Sequence, residues 1–225
     1  MIKKVEELLN EKISIKQKEF SYSLIPNALP MLGVKIPELR KIGKDICNDD
    51  YISFLNVVPE TFEMEWLKGF VIGNAKMDLI DKFKYLDEFI PNIKDWAVCD
   101  GLVSCLKWSK KYPKDMFNYL LKYKNSRNEF EVRFVSVMLM SYYLNDEYVD
   151  KLFNIIDELY LNDYYAKMGV AWFLATALAK YPDITIKYLS ENKLDNWTIN
   201  KAISKSRESY RIPKDIKDYI LRFKS

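Results

Sequence analysis

Apolar residues recur at three- and four-residue spacing along nearly the whole chain, which is the period of an amphipathic helix. No stretch sustains a period of two between turn signals, and only six glycines interrupt the pattern. It predicts helices over residues 2–12, 37–48, 50–57, 61–75, 78–91, 95–111, 114–125, 129–144, 147–160, 163–180, 183–191, 196–209 and 213–223. Helix starts are marked by Pro37 before Glu38, and by Asp95, Asp163 and Asn196 at cap positions. Pro113, Pro182 and Pro213 fall between helices, where they end one or open the next. Pro26 and Pro30 stop a helix from running through "SLIPNALP", which leaves a short helix over 14–24 as the most that stretch holds.

The helices come in pairs that repeat. Trp96 lies 37 residues before Arg133, Arg133 lies 39 before Trp172, and Lys205 follows 33 later. Two-helix units at this spacing predict an all-α fold, a HEAT-like or armadillo-like solenoid with a concave face, formed as a single domain over 1–225. An irregular helical domain is the alternative. A concave solenoid face suits a long ligand of defined shape, such as a nucleic-acid duplex.

Within "WAVCD", Trp96 and Asp100 stand one turn apart. At ~100° per residue, Trp96, Asp100 and Lys107 form a stripe turned largely away from Val98, Leu102, Cys105 and Leu106. A Trp on a polar stripe is not explained by the packing of its own helix, although it could pack on the next repeat. Arg133 is the only charge from Val132 to Leu144. A guanidinium in such surroundings needs a partner: Glu129 one turn earlier, Asp100 from the neighbouring repeat, or a phosphate. Trp172, within "MGVAWFLATALA", reads by itself as a core residue. Its interest is its place, one repeat beyond Arg133.

Composition narrows the chemistry. The chain has no histidine, so Ser-His and Cys-His pairs and a histidine base are excluded. It has no glycine-rich phosphate loop. Cys47, Cys99 and Cys105 form no CxxC pair, which argues against a structural zinc site and for a reducing compartment; Cys99 and Cys105 read as small core residues. No apolar run is long enough to span a membrane, and "MIKKVEELLNEK" is not a signal peptide. Net charge is +3, but nine Lys/Arg against four Asp/Glu from Lys193 onward leave a basic end on a body of about −2. An anionic partner is compatible with that end, as is simple solvation.

Two Trp faces attract a cation, and a carboxylate stabilises positive charge that develops nearby. One reaction fits this set without histidine: hydrolysis of the glycosidic bond of an alkylated, already cationic purine. Its leaving group needs no general acid.

At these residues the chain resembles the AlkD family of DNA alkylation-repair proteins, HEAT-like repeat DNA glycosylases. "MLGVKIPELRKIGKDI" (31–46) is similar to the family's Gly-Val-x-x-Pro-x-x-Arg segment, "WAVCD" to its Trp-x-x-x-Asp, "EFEVRF" to the segment with its site Arg, "YYAKMGVAWFLATALAKYP" to that with its second site Trp, and "NKAISKSRESYRI" to its last helices. The resemblance implies a cofactor-free enzyme that removes N3- and N7-alkylpurines from duplex DNA without flipping the base. Asp100 would be the catalytic carboxylate, Trp96 and Trp172 would contact the lesion's deoxyribose, and Arg133 would hold the backbone. Lys107, Lys201, Lys205, Arg207 and Arg211 are the expected DNA-binding cations. The protein would act as a cytoplasmic monomer, with double-stranded DNA as partner and neither membrane nor metal. Active members carry an N-terminal helix that reaches the minor groove; here that stretch looks abbreviated, as in a divergent branch. The alternative is a weak or inactive paralogue serving as a DNA-binding or protein-interaction scaffold.

Overall fold

The computed structural model describes residues 1–26 and 28–224; Asn27, inside "SLIPNALP", lies outside them. Among the described residues there are helices and no strands. The α-helices are α1 (Ile2–Asn10), α2 (Ile15–Leu24), α3 (Ile36–Cys47), α4 (Tyr51–Leu55), α5 (Phe62–Asn74), α6 (Leu79–Phe89), α7 (Trp96–Cys105), α8 (Pro113–Leu120), α9 (Glu129–Met138), α10 (Val149–Glu158), α11 (Tyr164–Lys180), α12 (Pro182–Glu191), α13 (Asn196–Glu208) and α14 (Lys214–Tyr219).

Two compact units divide the chain, Met1–Trp108 and the part from Ser109 onward. In the first, α5 is buried on nearly every side, as expected of a helix apolar all round. Both α3 and α7 pack on it. In the second, α11 has the same character, and α9 and α13 both pack on it. Phe134 of α9 and Phe173 of α11 are wholly buried there, each stabilising by about 1.5–3 kcal/mol. Within each unit, alternate helices of the chain stack on one another, which is the organisation of a helical-repeat fold.

The local signals act largely as expected. Asp95 caps α7 by accepting from Val98 N at 2.8 Å, and Pro113 and Pro182 open α8 and α12. Three details differ. The cap of α13 is Asp195, which accepts from Thr198 N, and Asn196 is already helical. Asp163 precedes α11 but makes no side-chain cap bond. The helix expected over 95–111 breaks at Leu106, and a 3-10 segment follows over Lys107–Lys111. That break lets Trp108 reach the edge of Phe83, at 5.8 Å between centroids, and lie under the Lys82 ammonium. Lys107 therefore stands on a separate element, outside the helical stripe of Trp96 and Asp100.

Candidate nucleic-acid interface

The first unit carries Trp96 and Asp100 on the opening turns of α7, and both are half-buried. The Trp96 indole Nε1 donates to Leu24 O at 3.2 Å. The acceptor is at the end of α2, the short helix expected over 14–24, so Trp96 is fastened to that helix. α2 is a full ten-residue helix capped by Ser14, and Ile25 ends it just before Pro26. It buries no residue of its own, and the loop at Gly33 holds it in place. Gly33 has φ +91, and a Cβ there would lie 2.3 Å from Ser14 O and 2.8 Å from Lys18 Cβ. Only glycine combines that backbone with that approach.

The loop itself is held from below. Leu32 N donates to Glu63 Oε2 at 3.0 Å, and Gly33 N and Val34 N donate to Glu63 Oε1 at 2.7 and 3.1 Å. Successive N–H groups thus form an anion-binding nest filled by the protein's own carboxylate. Met31 N donates to Tyr22 Oη of α2 at 2.9 Å, closing the bracket. The Gly-Val motif is therefore a clamp on α2, and through α2 on Trp96.

Beneath α7 lie two buried carboxyls, Glu65 and Asp95, each with one oxygen lacking a hydrogen-bond partner. Burial, then the nearby Asp95, pushes Glu65 up to about 7. Burial raises Asp95 to about 6 against the opposing backbone N–H bonds, and Asp100 adds to the rise. A carboxyl raised in this way contributes stability below its ordinary pKa near 4 and loses it as pH climbs through 6 and 7. Glu65→Gln should therefore raise the thermal midpoint at pH 8 and leave it little changed at pH 5. The gain at pH 8 should be on the order of 2–3 kcal/mol. A wild-type-minus-variant difference that is flat from pH 5 to 8, followed by thermal melting, would contradict this account of the pair.

In the second unit, Arg133 is 6% exposed and donates through NH1 to Tyr165 O at 3.1 Å. Glu129 accepts from the N–H of the same residue. Glu129 and Arg133 of α9 thus bracket the first turn of α11. Gly169 allows this approach, because a Cβ there would lie 2.5 Å from Ser136 Oγ and 3.4 Å from Arg133 Cγ.

Trp172 departs from its reading as core: it is 38% exposed, between the buried Ala171 and Phe173. It lines an open cleft of about 220 Å3 with Thr176, Lys205, Glu208 and Arg211. Burial, then the neighbouring Lys201, depresses the Lys205 ammonium; Glu208 opposes this and Arg133 adds to it. Cations from α9 and α13 therefore crowd one another beside an exposed Trp. A bound anion would relieve that repulsion. Arg207 is exposed in the last turn of α13 and does not line the cleft.

Of the expected site residues, Trp172, Lys205 and Arg211 thus share one cleft, with Arg133 and Lys201 near Lys205; Trp96 and Asp100 share α7. Sequence reading missed two features. One is the role of Glu63. The other is an exposed aromatic pair, Tyr164 and Trp197, whose signal was the spacing Trp197, Lys201, Lys205 along one helix. Among the described residues, no helix is long and apolar enough to cross a membrane, and no group of three or more His, Cys, Asp or Glu could hold a metal ion.

A family model described as "DNA alkylation repair enzyme" matches residues 5–206. No curated protein matches the sequence.

Proposed function

The chain belongs to the DNA alkylation repair enzyme family, and from that premise we propose that it is a DNA glycosylase of the AlkD type. Its substrates are cationic N3- and N7-alkylated purines in duplex DNA. The observation that carries this reading is Trp172, exposed in an apolar helix and lining a cleft with Lys205 and Arg211. A cleft that pairs an aromatic face with the cations Lys205 and Arg211 suits a sugar flanked by phosphates.

The chemistry follows from the lesion. An alkylated purine carries its own positive charge and departs as a neutral base, so no side chain need protonate it. The rate then depends on stabilising an oxocarbenium-like deoxyribose and on placing a water. Asp100 supplies the carboxylate, and Trp96 and Trp172 supply aromatic faces toward the sugar. Arg133 is fixed by Tyr165 O and holds the backbone beside the lesion. Lys107, Lys201, Lys205, Arg207 and Arg211 add phosphate contacts. In this reading the chain is a single HEAT-like repeat domain that acts on duplex DNA inside the cell. The stretch that holds α2 is abbreviated relative to the minor-groove helix of active members, as in a divergent branch of the family.

The test is release of 7-methylguanine or 3-methyladenine from alkylated duplex DNA by the wild-type protein. Absence of release above background, where an active family member works, would reject the enzyme and leave a DNA-binding or scaffold protein.

A further inference from the structure

We propose that Trp197 and Tyr164 form a second nucleic-acid contact on the second unit, an aromatic corner that takes a deoxyribose of the DNA strand beyond the Trp172 cleft. This rests on the DNA-binding reading above and extends it to residues that reading does not use.

Trp197 is 40% exposed and Tyr164 is 54% exposed. They come from the first turns of α13 and α11, the two helices that also carry Lys205 and Trp172. Large aromatic rings left in water at the ends of two packed helices call for an explanation, because burial would stabilise each by more than 1 kcal/mol (roughly). These rings are also held in place. They meet edge to face, with centroids 5.6 Å apart and planes inclined at 62°. The Lys167 ammonium lies 6.0 Å from the Trp197 ring centroid and pairs with Asp195 at 3.4 Å. Asp195 in turn caps the helix that begins with Trp197's neighbour.

Geometry and charge select the ligand. Parallel rings sandwich a planar base, as in single-strand binding; rings inclined at a wide angle form a corner, which suits a non-planar sugar. Cations flank the corner. Lys167 stands over the Trp197 ring, and Lys201 and Lys205 follow Trp197 at one-turn steps along α13. That stripe runs about 12 Å, close to the rise of three to four base pairs. An aromatic corner at one end and a basic cleft with Trp172 at the other fit one strand followed over a few nucleotides.

Salt-dependent binding to a fluorescein-labelled duplex tests this with the full chain. Trp197→Ala and Tyr164→Ala should each weaken binding roughly five- to tenfold, with the slope of log K against log salt unchanged. Trp197→Phe should keep most of the affinity. Lys201→Ala and Lys205→Ala should instead lower the magnitude of that slope by about 0.9 each. Thermal melting identifies any variant weakened through misfolding, and Tyr164→Ala then stands in for Trp197→Ala. Wild-type-like affinity in both aromatic variants, alongside weakened lysine variants, would overturn the aromatic contact alone. Absence of wild-type binding even at low salt would overturn it together with the DNA reading on which it rests.

Discussion

Asp100→Asn should lower the single-turnover rate of alkylpurine release by about 10²–10³-fold, the scale seen when one preorganised electrostatic contact to a transition state is removed. The substitution keeps the size and shape of the side chain and removes its charge. Asp100 is half-buried on α7, where a carboxylate interacts more strongly with a nearby cation than in open water. In the proposed reaction the charge that Asp100 would stabilise exists only as the bond to the base breaks, so the loss should fall on the rate and spare binding. Affinity for duplex DNA should be unchanged or slightly higher, since one negative charge near phosphates is gone. A variant that releases base within threefold of wild type would remove Asp100 from the mechanism. A variant that loses binding in step with rate would make it a structural residue.

How much of this was readable beforehand divides along a physical line. The helices were legible because burial of one face imposes a period of three to four on the chain. The break at Leu106 was not: it goes with the packing of Trp108 on Phe83 and Lys82, and no local signal encodes a tertiary contact. Trp172 shows the converse limit. Around Trp172, from Met168 to Leu174, α11 is apolar on every side, so its periodicity names no exposed face there, and a Trp within it reads as core until its neighbours are known. Arg133 was legible as an anomaly, one charge amid apolar residues, but its acceptor is a backbone carbonyl 32 residues further on. The "MLGVKIPELR" segment was legible as a resemblance only. Its physical role lies in contacts to Ser14, Lys18 and Glu63, on elements that precede and follow it.

Those contacts lead to the largest expected effect on folding. Glu63→Ala should destabilise the first unit by roughly 3–5 kcal/mol, since the N–H groups of Leu32, Gly33 and Val34 lose their common acceptor and an unsatisfied buried donor costs about 1–3 kcal/mol. That is a large part of a typical domain's stability of about 5–15 kcal/mol. Glu63→Gln should fall between wild type and Ala, because one amide oxygen can still accept from Gly33 and Val34 while the amide NH2 faces the N–H of Leu32. The damage should also travel. Loosening the loop frees the Gly33 surface on which Ser14 and Lys18 rest, and with it α2, whose Leu24 O accepts from the Trp96 indole. Amide exchange should therefore speed up first at 32–34 and then along 15–24, with protection in α11 and α13 retained. A lower urea midpoint would register the same loss. If Glu63→Gln left release of alkylpurines intact while exchange over 15–24 rose, α2 would be dispensable to Trp96. If exchange and release change together, the clamp built from Glu63, Gly33 and α2 is part of what positions the site.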